Sequence, residues 1–160
     1  MSIPAVKGIA IGLGFAASRR PGSEVHDPIV RDAVLNAGPG LGRSSNNAGG
    51  LEGGMTTGEP LVLRVAMKPI STLGRPLSTV DLETGAPSAA QSERSDVTAV
   101  PAMGVIAEAV VALVLGDAMC EKFGGDSLAE MRRNVDGYMA QLRARQAQWE
   151  SSSQPRVETT

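Results

Sequence analysis

Aromatic residues are scarce in this sequence of 160 residues: two Phe, one Tyr and one Trp make up 2% of it. A core must therefore be built from Ala, Val, Leu, Ile and Met. The single cysteine, Cys120, excludes an internal disulfide. It lies in an apolar stretch, which predicts a small buried hydrophobic residue rather than a nucleophile and fits a reducing, cytoplasmic setting.

Histidine is equally rare, because His26 is the only one. One His and one Cys do not make a metal-ligand cluster, so no metal site is predicted. No Ser-His-Asp or Cys-His arrangement is indicated by spacing either. His26 follows a loop-like run beside two carboxylates, so a surface or structural role is the favoured interpretation.

The sequence also lacks a strong charge of either sign. Fifteen Lys and Arg against 17 Asp and Glu give a formal net charge of −2. We therefore expect no global field that recruits nucleic acid or an anionic membrane, although a local basic cluster could still bind phosphate. The apolar stretch 9–17 is interrupted by glycines and followed by arginines, which argues against a signal peptide. The run 109–115 is too short to span a bilayer.

Length and patterning predict one α+β domain over residues 1–150, with a disordered tail at 151–160. Strand-like patterns come first, separated by an irregular stretch and followed by a polar connection. The expected strands are residues 9–15, which need a close backbone neighbour, then 61–67 and 77–82; the irregular stretch is 19–47 and the connection 83–93.

Helical patterns follow. Residues 102–121 are apolar nearly all round, which is typical of a buried helix, and Gly124 and Gly125 should end it. Ser127 and Glu130 have the spacing of a capping box. They open a second helix with one apolar face, formed by Leu128, Met131, Val135, Tyr138 and Leu142.

Three segments could carry chemistry. KPIST at 68–72 offers a lysine at a strand end, two hydroxyls and backbone amides, a set that suits an anion, although a solvated lysine is the commoner case. The segment NNAGGLEGGMTTG at 46–58 could bring its backbone close to a flat or phosphorylated ligand or be a flexible surface loop; it is neither a P-loop nor a dinucleotide fingerprint. Arg94 and Asp96 could hold an anion and act as a base, or form a surface ion pair.

The wording and order of these segments resemble one family. NNAGGLEGGMTTGEPLVLRVAMKPIST is similar to the signature region of chorismate synthase. RSDVTAVPAMGVIAEAVVALVL and EKFGGDSLAEMRRN resemble the family's C-terminal block, and SIPAVKGIAIGLGF with RRPGSEVHD resembles the part that precedes both. The resemblance runs collinearly from about Ser2 to Asn134, so the chain resembles the C-terminal half of the family.

The resemblance implies a β-α-β sandwich fold, reduced FMN as cofactor, an association with NADP, a homotetramer and a cytoplasmic location. It implies loss of phosphate from 5-enolpyruvylshikimate 3-phosphate to give chorismate. It further implies that Asp96 manages a proton near the flavin, and that FMN is bound by Pro4, Ala5, Gly53, Lys68, Pro69, Ile70, Ser71, Thr72 and Arg94. Pro4 departs from the family pattern, which often has a polar residue there, yet a backbone contact tolerates proline where no N–H is needed.

The family's N-terminal half carries a catalytic His in a Ser-His-Gly setting, a second His and most substrate-binding arginines. None of these is found in the 160 residues, and His26 aligns with neither catalytic position. The chain is therefore expected to be a fragment with little activity alone and with unpaired apolar faces. The alternatives are a non-catalytic flavin-binding remnant, an assembly partner that needs the other half in trans, or an α+β domain without a ligand.

Overall fold

The computed structural model describes residues 1–31, 41–93 and 97–152, the side chains of 149–152 excepted. The chain forms two compact units. One consists of Met1–Ile9 and Val65–Leu113, and the other of Ala10–Arg64 and Val114–Thr160. Short strands are followed by two long helices, so the α+β class predicted from the sequence is confirmed.

Strand β1 (Val6–Ile11) pairs with β6 (Leu63–Met67). The Lys68 amide donates to the Ala5 carbonyl at 2.7 Å, and the Gly12 amide donates to the Val62 carbonyl at 2.9 Å. Because early residues of one strand meet late residues of the other, the pairing is antiparallel. Along β6 half-buried and exposed residues alternate, as the period of two in the sequence predicts.

The first unit also contains a β-hairpin of β7 (Ser78–Val80) and β8 (Pro87–Ala89). The Asp81 carboxylate accepts hydrogen bonds from the Glu83 amide and from the Thr84 amide and hydroxyl, which closes the turn. The strand predicted over 77–82 is thus confirmed. The prediction of a polar connection over 83–93 was wrong, because β8 lies inside it.

The second unit holds the irregular part of the chain. Two 3₁₀ helices, Gly14–Arg19 and Gly22–Glu24, precede the antiparallel pair β2 (Ile29–Val30) and β3 (Gly42–Arg43). A second pair follows, β4 (Leu51–Glu52) and β5 (Met55–Thr56). The strand predicted over 9–15 therefore ends earlier, at Ile11, where a turn begins.

Two glycine backbones in the second unit are packed too closely for any side chain. A Cβ placed on Gly12 would lie 2.0 Å from the Asn47 carbonyl oxygen, and one on Gly49 would lie 2.3 Å from the Gly12 nitrogen. Both residues have positive φ, 55° and 66°. The close backbone neighbour predicted from the glycine spacing is confirmed at Gly12, and only glycine satisfies this contact.

Helix α1 (Val100–Phe123) ends where the sequence predicts. The Gly124 amide donates to the Cys120 carbonyl at 2.8 Å, and Gly124 has φ 54°. Helix α2 (Leu128–Ser152) begins with the expected cap, because the Glu130 amide donates to the Ser127 hydroxyl at 3.3 Å. The Glu130 carboxylate in turn accepts a hydrogen bond from the Asp126 amide at 2.9 Å.

The end of α1 contacts α2 within the second unit. The rings of Phe123 and Tyr138 meet edge to face, with centroids 5.7 Å apart. The Asn134 side-chain amide donates to the Phe123 carbonyl at 2.6 Å. On α2 the side chains of Met131, Val135 and Leu142 are half-buried, whereas Leu128 is exposed, so the predicted apolar face is only partly covered.

The prediction that α1 is buried was wrong. Of its residues Met103 alone is buried, and Cys120 is exposed rather than enclosed. The apolar sequence of α1 indicates that the helix needs covering surface, and the described residues do not provide that surface. The expectation of unpaired apolar faces is accordingly confirmed, with Val105, Leu113 and Val114 each about two-thirds exposed or more.

Helix α1 is long enough to span a bilayer, whereas the apolar run 109–115 within it is too short. Over 18 residues its mean hydropathy is 1.9, so by length and composition it could cross a membrane. The core helix of a soluble protein passes the same test, and one such helix is weak evidence for a membrane protein.

Candidate functional site

In the first unit the structure brings two of the sequence-predicted segments together. Strand β6 ends at Met67, and KPIST begins at the next residue. There the Lys68 amide donates to the Ala5 carbonyl. This hydrogen bond links the backbone of the Pro4–Ala5 turn to the start of KPIST. Local sequence patterns do not predict this contact, because the two segments are more than 60 residues apart.

Ala5 has φ 65°, the only positive value for a non-glycine residue in the described ranges. This left-handed conformation costs an L-residue about 1 to 2 kcal/mol. Strain of this kind persists where the surroundings fix the backbone, and it concentrates at ligand-binding turns. Here the bond to Lys68 fixes it, so the Pro4–Ala5 turn is a candidate for a backbone contact to a ligand.

A cleft of about 270 Å³ lies at the end of β6, the strand that pairs with β1. It is lined by Met67 to Ile70 on one side and by Val97 to Val100 on the other. Val100 is the first residue of α1, and its amide donates to the Thr98 hydroxyl at 3.3 Å. The walls are mainly apolar, and Lys68 is the one charged residue among them.

The polar groups of KPIST are available to a ligand. The Lys68, Pro69, Ile70 and Ser71 side chains are exposed, and Thr72 is half-buried. Neither of the ion pairs found in the described ranges involves Lys68. An ammonium group that has no carboxylate partner among the described residues, together with the hydroxyls of Ser71 and Thr72, can neutralise and hydrogen-bond one anion.

Gly53 lies in the second unit, at the turn of the β4–β5 hairpin. Its φ is 57°, that of Gly54 is 78°, and no atom lies within 4 Å of a Cβ built on either. The interpretation of 46–58 as a backbone free to take positive φ is confirmed. The open tip leaves room for a flat ligand against the backbone.

Two candidates cannot be placed. Arg94 and Asp96 fall in 94–96, outside the described residues. Their roles as anion ligand and base stay predictions from the sequence.

Sequence reasoning missed a cluster around Asp27 in the second unit. Its side chain is 6% exposed, and the carboxylate accepts hydrogen bonds from Ser45, Asn47 and Ala48. Burial raises the pKa of Asp27, but these three hydrogen bonds and the nearby charge of Arg43 outweigh it, so the pKa is lowered overall. The run RRPGSEVHD resembles the family's sequence, but no local pattern within it marks this aspartate.

His26 is exposed, in agreement with the surface role favoured from sequence. It lines a separate cleft of about 410 Å³ together with Asp27, Arg43 and Glu52, within the second unit. Arg43 and Glu52 form an ion pair there at 2.6 Å. Within the part of the chain that the structure describes, no group of three or more metal-ligating side chains occurs.

Known proteins resemble this chain over most of its length. The profile of the family described as chorismate synthase matches residues 1–120. The chain is 61% identical over 147 residues to chorismate synthase of Geobacter sulfurreducens, covering 90% of this chain and 37% of that protein. It is 62% identical over 146 residues to chorismate synthase of Trichlorobacter lovleyi, covering 89% and 37%.

A solved structure, a crystal structure of chorismate synthase, matches with a TM-score of 0.69 and 43% identity, covering 90% of this chain and 34% of that one. The chain thus spans little more than a third of the length of its curated relatives. The family profile, the sequence identities and the matching fold agree, and the chain belongs to the chorismate synthase family.

Proposed function

We propose that this chain supplies the flavin-phosphate side of a chorismate synthase active site. The observation that carries the proposal is the hydrogen bond between Lys68 and Ala5, which joins two segments that the family resemblance independently assigns to FMN. The cleft beside them is large enough for part of a cofactor and has one charged wall residue. The residues therefore fit the phosphate and ribityl end of FMN.

The proposed reaction is loss of phosphate from C3 and of a hydrogen from C6 of 5-enolpyruvylshikimate 3-phosphate, which yields chorismate without net redox change. Bound reduced FMN would supply the transient electron that this elimination needs and would end the cycle in its starting oxidation state. The role of this chain's own residues is to bind the cofactor and to orient it toward the substrate. Any NADP-linked supply of reduced flavin belongs to this proposal too.

Within that reaction Lys68 neutralises the cofactor phosphate, and Ser71 and Thr72 donate hydrogen bonds to it. Pro69 and Ile70 shape the turn, and the backbones of Pro4, Ala5 and Gly53 contact the cofactor. By the family resemblance, Arg94 would bind the anions of cofactor and substrate. Asp96 holds the proton that moves near the flavin.

The sharpest test of the flavin site compares two lysines of the first unit. Lys68→Ala removes the proposed phosphate contact, and Lys7→Ala removes an exposed lysine on β1. FMN fluorescence quenching should give a Kd about tenfold higher for Lys68→Ala than for the wild-type chain. A charge-assisted contact contributes about 1.5 to 3 kcal/mol, and a tenfold change in Kd, about 1.4 kcal/mol, lies at the lower end of that range because Lys68 is exposed. Lys7→Ala should bind as the wild type does. Equal affinities for all three proteins would refute the site.

Activity of the 160 residues alone is proposed to be low or absent, because the catalytic histidines that the family resemblance calls for are missing from them. The assay adds reduced FMN and substrate to the pure chain and measures chorismate. Turnover near that of a full-length relative would refute this part of the proposal.

A second candidate function is that of an assembly partner that works with the remaining family segment in trans. The exposed apolar surface of α1 favours it, since a surface of this kind needs a covering partner. Mixing the chain with the N-terminal two-thirds of a relative should restore turnover and produce a larger complex, with the full-length homotetramer as the reference size. The complex is expected in the cytoplasm.

A further inference from the structure

The Asp27 carboxylate organises one stretch of backbone by using both of its oxygens. Oδ1 accepts hydrogen bonds from the Ser45 hydroxyl at 2.5 Å and the Asn47 amide at 2.8 Å. Oδ2 accepts one from the Ala48 amide, also at 2.8 Å. Two consecutive backbone amides are thus fixed by one buried charge, and this arrangement holds the chain in a single conformation.

The backbone of Asp27 contributes as well. Its carbonyl accepts a hydrogen bond from Arg43 Nη1 at 2.9 Å, while Nη2 of the same arginine pairs with Glu52 at 2.6 Å. The Arg43 amide donates to the Glu59 carboxylate at 3.3 Å. Arg43 therefore connects Asp27 to β4, the strand that leads into the Gly53 turn.

The same stretch continues into the base of the β4–β5 hairpin. Asn46 donates to the Pro60 carbonyl at 2.9 Å and accepts from the Gly50 amide at 2.7 Å. The Thr57 amide closes the base by donating to the Gly50 carbonyl at 3.0 Å. These three hydrogen bonds fix the base, whereas a Cβ built on Gly53 or Gly54 at the tip would have no described atom within 4 Å.

We propose that Asp27 is a positioning residue: its buried carboxylate fixes residues 45–50 and thereby the place at which the β4–β5 hairpin presents Gly53 to the cofactor. The part that concerns the cofactor rests on the proposed function. The part that concerns the hairpin stands on these contacts alone.

A charge is needed for this role, which makes the proposal testable with a nearly isosteric change. In Asp27→Asn one oxygen becomes an NH₂ group, and that donor must face either the Ala48 amide or the pair formed by Ser45 and Asn47. Two donors then face each other in a buried place. At least one backbone amide loses its acceptor while the side-chain volume stays the same.

The experiment measures amide hydrogen exchange by NMR in the full 160-residue chain. Asp27→Asn should accelerate exchange at Asn47, Ala48 and Thr57 by about tenfold or more, because their local opening becomes easier. The matched control is Asp81→Asn, which removes an exposed carboxylate that also accepts two backbone amides. It should accelerate exchange only at Glu83 and Thr84. Unchanged rates at Asn47 and Ala48 in Asp27→Asn would overturn the proposal.

A second readout separates this proposal from the flavin site itself. If the wild-type chain binds FMN, Asp27→Asn should raise the Kd about tenfold and Asp81→Asn should leave it unchanged. Faster exchange at Thr57 with an unchanged Kd overturns the positioning role toward the cofactor. If the wild-type chain does not bind FMN, the flavin site fails, and the exchange rates decide on their own. Acceleration at Asn47, Ala48 and Thr57 supports positioning of the hairpin, and unchanged rates at Asn47 and Ala48 or at Thr57 overturn it.

Discussion

Between Asp27 and Pro60 the described polar groups largely satisfy one another, whereas helix α1 leaves nearly all of its apolar side chains exposed. The first region uses a carboxylate, an asparagine and closely packed glycines, so its partners lie within about 35 residues of sequence. The second uses long aliphatic side chains whose partners are not among the described residues. Polar turn networks can be complete in a short stretch of chain, while an all-round apolar helix needs surface from elsewhere.

The largest effect that would sharpen this comparison is expected from Gly12→Val. A Cβ at this position would overlap the Asn47 carbonyl, and β-branched residues strongly disfavour φ near 55°. We expect destabilisation by more than about 3 kcal/mol, measured by urea unfolding. Gly53→Ala is the control, with a similar φ and open space, and should cost only about 1 kcal/mol. Similar losses for both would show that the close packing is unimportant.

The next largest effect concerns α1. Met103 is 5% exposed and Val105 is 68% exposed, although both lie near the start of the helix. Met103→Ala should destabilise the chain by about 2 to 4 kcal/mol, because it removes buried surface and leaves a cavity. Val105→Ala should change the free energy of unfolding by less than about 0.5 kcal/mol in the isolated chain. A large loss at Val105 would mean that α1 is covered in solution.

A smaller effect is expected at the cap of α2. Ser127→Ala removes the acceptor of the Glu130 amide and should cost about 1 kcal/mol, seen as a lower midpoint of urea unfolding. Ser18→Ala is a suitable control, because within the described ranges this exposed hydroxyl donates only to the nearby Phe15 carbonyl. If both substitutions cost the same, the cap contributes nothing specific.

The smallest effect is local and depends on pH. The pKa of Asp27 is lowered in the folded chain, so its stabilising contribution is full above its unfolded pKa of about 3.9 and is lost as pH falls through the lower folded value. Exchange at Ala48, corrected for its intrinsic pH dependence, should accelerate below about pH 4. Among the described residues, His26, Arg43 and Glu52 line the same cleft as the carboxylate, and Glu24 and Glu59 are hydrogen-bonded to the neighbouring Asn47 and Arg43. Since Asp27→Asn removes the titrating group, an unchanged acid profile in that variant would assign the effect to one of these neighbours.

The sequence was most informative where a local rule determines the structure. Gly124 determines the C-terminus of α1, and Ser127 with Glu130 determines the N-terminus of α2, because caps involve neighbours within four residues. The alternation in β6 likewise needs only a period of two. The family resemblance predicts one site for Lys68 and Ala5, and a backbone hydrogen bond joins the two residues.

The rest depends on contacts between distant residues, which local rules do not describe. Nothing near Asp27 in sequence shows that Asn47 and Ala48 will donate to it, and β8 is too short and too polar to register as a strand. The burial predicted for α1 failed for a different reason. Its apolar composition indicates that the helix is stable when covered. Composition does not show whether the covering surface belongs to the same 160 residues.

The exposed position of Cys120 has a practical consequence for α1. It is the only thiol in the sequence, so an environment-sensitive dye would attach at one site without any engineered substitution. A blue shift and stronger emission on mixing with a second polypeptide would report that this part of the helix has left water, and the concentration dependence would give the affinity. The residue that the sequence predicts to be a buried core side chain is thus a natural reporter for the surface that covers the helix.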